Sequence, residues 1–128
     1  MGLFGGLFGS KEAQEEKVLP WIPMNAEGQL QEIMERSKAR PQFIFKHSTT
    51  CGISRMVLGM FTKGYTLNDK AADLYYLDLH AYRSISNAVA ATFQVMHESP
   101  QLLVIKNGTT VFHTSHGAIT ETNLEQFI

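Results

Sequence analysis

The 128 residues are enough for one domain around one core. The hydrophobic fraction of 44% is ordinary, and the net charge of -1 comes from interspersed signs with no basic patch, which argues against nucleic acid as a partner. Cys51 is the only cysteine, so an internal disulfide and a secreted disulfide scaffold are excluded, and a lone thiol suits a reducing cytoplasm.

Residues 1–17 read as a flexible N-terminal tail ahead of a domain over residues 18–128. The opening MGLFGGLFGS is apolar, but no positive charge precedes it and it is too short for a secretory signal. Gly6 stands where a myristoylation signal wants Ser or Thr. A membrane span needs about 20 apolar residues, and the polar run SKEAQEEK stops this one early. Glycines at 2, 5, 6 and 9 oppose helix formation. The sharper alternative is a weak membrane or partner contact through Leu3, Phe4, Leu7 and Phe8.

Val18 to Met24 carries Pro20 and Pro23, which restricts it to a short edge strand or an arm. Asn25 is a candidate cap for a helix with Leu30, Ile33 and Met34 on one face, ended by Pro41. Phe43, Ile44 and Phe45 predict a buried strand. Beyond Cys51, Ile53, Met56, Val57, Met60 and Phe61 recur at helical spacing, which predicts a helix with that stripe in the core and Gly64 near its end. Leu74 to Leu79 predicts a second buried strand, with Tyr75 and Tyr76 as core or interface aromatics and Asp73 and Asp78 as simple strand-edge residues. Arg83 to Val95 predicts a helix through Ile85, Val89 and Phe93. Leu102 to Lys106, the Asn107-Gly108 pair and Thr109 to Thr114 predict an antiparallel hairpin. Thr120 is placed to cap a last helix, with Ile119 and Leu124 as its hydrophobic staple. The β-α-β-α-β opening implies parallel pairing through crossovers, hence an α/β domain with a mixed β-sheet flanked by helices on both faces.

Phe43 to Phe61 carries the chemistry: a strand, His47-Ser48-Thr49-Thr50, Cys51, then an amphipathic helix. A thiol at a helix N-terminus meets unpaired N–H groups and the positive end of the helix dipole, which favour thiolate over thiol. Ser54, one turn on, is placed to donate a hydrogen bond to the sulfur. The competing reading is an inert buried cysteine, but Cys51 lies outside the apolar stripe, among Ser, Thr and Gly. His47 and His97 read as loop residues, which either tune a nearby thiolate or contact substrate, or simply bond backbone. His80, His113 and His116 read as surface or strand residues. No metal site is expected, because zinc wants four ligands and no second cluster accompanies His113 and His116. Lys46, the one charge in an apolar strand, is expected to point to solvent.

Strand–Cys51-Gly52-Ile53-Ser54–helix, followed by Ser99-Pro100 opening a strand and by Asn107-Gly108, resembles thioredoxin in a monothiol form. More closely, FIFKHSTTCGIS, Arg83 to Asn87, HESPQ and Lys106-Asn107-Gly108 resemble the YtxJ-like monothiol bacilliredoxins over about Val18 to Ile128. Gly52 stands where that family often has proline. The resemblance implies a thioredoxin-like fold and a cis Ser99–Pro100 bond facing the nucleophile. It further implies catalysis by Cys51 with support from His47, Thr50, Gly52 and Ser54, and substrate binding by Thr49, His97, Ser99 and Pro100. Phe45 stands where dithiol thioredoxins bury an acid, which a chain without a resolving cysteine does not need. No bound cofactor is implied. The co-substrate would be bacillithiol or another low-molecular-weight thiol, and the partners S-thiolated client proteins. A binding or adaptor module without turnover is the alternative from another class. A peroxide-reducing enzyme is disfavoured by the missing resolving cysteine.

Overall fold

The computed structural model describes residues 17–128. The predicted tail therefore lies, but for Lys17, outside the described residues. In chain order the elements are β1 (Ile22–Pro23), α1 (Gly28–Arg36), β2 (Gln42–His47), α2 (Gly52–Gly64), β3 (Asp73–Asp78), α3 (Arg83–Phe93), β4 (Gln101–Lys106) and β5 (Thr109–Ser115). Two 3-10 segments, His116–Glu121 and Leu124–Phe127, follow. The five strands form one sheet in the order β1-β3-β2-β4-β5. Pairing is parallel for β1–β3 and β2–β3 and antiparallel for β2–β4 and β4–β5. This is the mixed sheet of a thioredoxin-like fold, as expected.

The central strand β2 is covered on both faces, and alternation along it divides the core in two. Phe43 and Phe45 face Val57 and Phe61 of α2, with Ile119 and Phe127 from the 3-10 segments. Ile44 faces Leu30 and Ile33 of α1 and Ile85, Val89 and Phe93 of α3. Two-sided burial is why β2 reads as a continuous apolar run rather than an alternating one. Between β4 and β5 the chain turns at Asn107 (φ 52°) and Gly108 (φ 81°), both in the left-handed region that an Asn-Gly hairpin turn requires.

Several expectations are overturned. Lys46 is fully buried, because β2 is the middle strand and neither of its faces reaches solvent. Ile53, Met56 and Met60 are exposed, whereas Ser54, Val57 and Phe61 face the sheet. Five apolar positions made two adjacent stripes, and the sheet could take only one. Asn25 does not cap α1: Glu27 holds that position, and the Gln29 side chain accepts from the Asn25 and Ala26 N–H groups. The last helix is replaced by the 3-10 segments. Thr120 lies inside the first, its hydroxyl donating to Gly117 O, and Asn123 caps the second by accepting from Glu125 N–H. Asp73 is no simple strand-edge residue. It is buried against the Arg40 and Arg36 guanidinium groups at 3.2 and 3.7 Å.

Candidate functional site

The C-terminal end of β2 launches the loop Ser48 to Thr50, and Cys51 follows as the N-cap of α2, with extended backbone (φ -108°, ψ 121°). The turn is closed by Cys51 N–H donating to Ser48 O at 3.2 Å, and α2 begins with Arg55 N–H donating to Cys51 O at 3.1 Å. Cys51 is half-buried, so its sulfur is within reach of a partner. Gly52 occupies the first helical position, where an N–H has no partner within the helix. A side chain built on it would meet only Arg55 Nη2, at 3.8 Å. The Arg55 guanidinium thus lies against the first turn of α2 and also donates to Thr49 O at 3.2 Å. Helix N-terminus and guanidinium together make the surroundings of Cys51 electropositive.

Ser54 does not serve as expected. Its hydroxyl oxygen accepts from Ser48 N–H at 3.0 Å and lies 2.8 Å from His47 Nδ1, while no hydrogen bond joins it to the Cys51 sulfur. Ser54 is fully buried, and its hydroxyl is taken up by the Ser48 N–H and the His47 ring, the His47 tautomer setting whether ring or hydroxyl donates. His47 is buried with it. Burial holds its imidazolium below the usual range, with Arg55 adding to that effect and Asp78 opposing it. A neutral His47 with Nδ1 as acceptor is consistent with both. His47 and Ser54 therefore pin the base of the Cys51 loop rather than touch the sulfur.

A second histidine holds the tip of the same loop. His80 Nε2 lies 2.8 Å from Ser48 Oγ and 3.2 Å from Thr50 Oγ1. His80 is exposed, as its sequence position suggests, and it also clamps the loop. Asp78 positions it by accepting from the His80 and Ala81 N–H groups at 3.1 and 3.2 Å. The signal available in the sequence was the short polar stretch at the end of β3, which parallel pairing with β2 must bring beside His47.

The Ser99–Pro100 bond is cis, as expected. The antiparallel register, Lys46 opposite Gln101, brings Ser99-Pro100 to the same end of the sheet as the Ser48–Cys51 loop. Ser99 Oγ is buried without a hydrogen-bond partner. His97 stands on the exposed connection before it; partial burial, then Lys46 and Arg83, lower its pKa against the pull of Glu98. Thr49 and Thr50 are exposed. The fold therefore assembles Thr49, Thr50, Cys51, Gly52, Ser99 and Pro100 at one end, with His47 and Ser54 beneath and His97 at the side.

Behind this end lies a feature the sequence did not foretell. Lys46 Nζ, Ser86 Oγ and Gln101 Oε1 are buried without hydrogen-bond partners among the described residues. Burial pushes the Lys46 ammonium down to about 8.

A family model described as "Monothiol bacilliredoxin BrxC" matches residues 22–124. Among solved structures, a thioredoxin-fold protein described as a candidate oxidoreductase is 34% identical, with TM-score 0.69, over 82% of this chain and 90% of that one. Thioredoxin from Malassezia sympodialis is 18% identical, with TM-score 0.62, over 83% of this chain and 93% of that one. Reduced Schistosoma mansoni thioredoxin pre-protein is 19% identical, with TM-score 0.62, over 84% and 98%. The two thioredoxins speak for the fold alone.

Proposed function

This chain belongs to the monothiol bacilliredoxin family, and on that footing we propose that it removes a small thiol, bacillithiol or one like it, from S-thiolated client proteins. The observation that carries the reading is the half-exposed Cys51 at the electropositive start of α2, in a chain with no other cysteine. The Cys51 thiolate attacks the small-thiol sulfur of the mixed disulfide. The client leaves as a thiolate, and the bond formed joins Cys51 to the small thiol. A second small thiol, attacking as its thiolate, then takes that sulfur, returns Cys51 as thiolate and departs as a symmetrical disulfide. No net electrons are gained by the protein across the two steps. The client backbone is held at Thr49 to Gly52 and along Ser99-Pro100, as an added strand would be.

The count of sulfurs supplies the test. A dithiol enzyme closes its own disulfide at high effective concentration, but the resolving position here is Ser54, whose hydroxyl is committed to His47. Reduced protein mixed with a thiolated client, with no added thiol, releases one equivalent of client and gains the mass of one small thiol, and Cys51→Ala abolishes both. Repeated turnover without added thiol contradicts the monothiol cycle, and no mass gain with several thiols favours an adaptor module.

A further inference from the structure

The exposed side of α2 carries an apolar stripe beside the exposed Arg55 and Lys63. Ile53, Met56 and Met60 are 56%, 58% and 51% exposed and stand at i, i+3 and i+7, starting two residues after Cys51. At the far end of the stripe, between α2 and the 3-10 segments, lies a groove of about 290 Å³ lined by Met60, Phe61, Leu67, Leu124, Thr120 and Asn123, among others. A cavity of about half that size accepts a benzene ring. The chain reaches the described fold at this same place: Lys17 Nζ donates to Tyr65 O and, at 3.4 Å, to Lys63 O, the carbonyls that end α2. Immediately before Lys17 run 16 residues whose large apolar side chains, Met1 apart, are Leu3, Phe4, Leu7 and Phe8, in two copies of Gly-Leu-Phe-Gly.

We propose that the segment Leu3 to Phe8 docks on its own chain, in the groove beside Met60 and along the Met60–Met56–Ile53 stripe, over the helix that presents Cys51. The lengths agree. Nine residues from Lys17 to Phe8 reach up to about 30 Å, ample for a groove adjoining the Lys17 anchor. Met60 and Ile53 are seven residues apart along α2, about 10 Å. Phe4 and Phe8 are four residues apart, about 13 Å when extended. Phe8 in the groove thus leaves Phe4 over Ile53. The glycines expose backbone N–H and C=O groups that need partners once covered, and Thr120 and Asn123 in the groove offer them.

The test uses the full chain carrying ¹³C-methyl methionine. Wild type is compared with the quadruple variant Leu3→Ser, Phe4→Ser, Leu7→Ser, Phe8→Ser, with Met56 and Met60 assigned by Leu substitution. The expected result is a shift of both methyl signals beyond their linewidths on removing the phenylalanine rings, the same at every protein concentration, with buried Met24 unmoved as the sign of an intact fold. Unmoved Met56 and Met60 overturn the proposal. A shift that grows with concentration also overturns it, in favour of the segment of a second copy. Neither readout involves disulfide exchange, so the outcome is independent of the activity proposed for Cys51.

Discussion

The two ends of β2 present the same problem and solve it differently. Gln42 and Lys46 alternate onto the same face of the sheet, towards α1 and α3, and both are fully buried. At the Gln42 end the charged groups are paired, and Gln42 Oε1 alone lacks a partner among the described residues. Gln42 Nε2 donates to Asp73 Oδ2 at 2.7 Å, and Asp73 takes Arg40 at 3.2 Å and Arg36 at 3.7 Å. At the Lys46 end the ammonium has no partner, and neither do Ser86 Oγ or Gln101 Oε1. The paired end lies away from the cysteine, and the unpaired end lies next to it along the chain. The contrast that remains is one of charge: the buried carboxylate at the Gln42 end is compensated by two guanidinium groups, and the buried ammonium at the end that carries the site is not.

The largest effect expected from this contrast is a gain. Lys46→Met removes a buried, uncompensated ammonium while keeping its volume. The folded-state pKa of about 8 lies below the unfolded 10.5, so the cost is complete below pH 8 and fades as pH rises towards 10.5. Integrated linkage puts it at about 3 kcal/mol at neutral pH. Denaturant unfolding should show the variant more stable at pH 7. Wild-type stability should climb relative to the variant between pH 8 and 10.5. Equal stability at both pH values would erase the contrast between the two ends.

Next comes the paired end. Asp73→Ala takes from Gln42 Nε2 its shortest bond, leaving those to Arg40 O and Pro41 O at 3.2 and 3.3 Å, and removes a carboxylate that two guanidinium groups share, with an expected loss of about 2 kcal/mol. Arg36 and Arg40 are partly exposed and rehydrate, which limits the loss. A chemical denaturation midpoint measures it, and a gain here would reverse the assignment of the two ends.

At the site itself Ser54→Ala leaves Ser48 N–H and His47 Nδ1 without their partner, costing about 1–2 kcal/mol. The folded-state pKa of His47 is lowered, so its contribution is present above pH 6.5 and lost as pH falls. Wild type should therefore weaken below pH 6.5. Thiol exchange in Ser54→Ala should slow several-fold while its single-equivalent stoichiometry stays. The smallest effect is at Gly52. Proline suits a first helical position and would reduce the freedom of the unfolded chain, for a gain of about 0.5–1 kcal/mol. The space there, with Arg55 Nη2 at 3.8 Å, gives no obstacle. Calorimetry checks it, and a loss would mean that the turn at Cys51 needs the freedom of glycine.

How much of this was legible follows the range of each interaction. The strand–cysteine–helix order, the Asn107-Gly108 turn and the buried run of β2 could be read directly, because strand period, helical spacing and turn chemistry act over a few neighbours. The placement of Cys51 before a helix followed from the same patterns, whereas the pairing of Ser99-Pro100 with its loop came through a family resemblance. Three features were not legible. Ile53-Met56-Met60 and Val57-Phe61 are equally apolar stripes of one helix, and only docking on Phe45 selected Val57 and Phe61. Lys46 looks like a solvent-facing charge until β3 and β4 close on both sides of β2. Ser54 sits one turn from Cys51, but the Ser48 N–H and the buried His47 offered its hydroxyl better partners than sulfur. The sequence by itself determined the elements, their order and the one nucleophile, since these depend on local spacing and on composition. The tertiary structure alone decided which faces are covered and which polar atoms meet, since burial and hydrogen bonding between segments far apart in the chain exist only once the sheet has assembled.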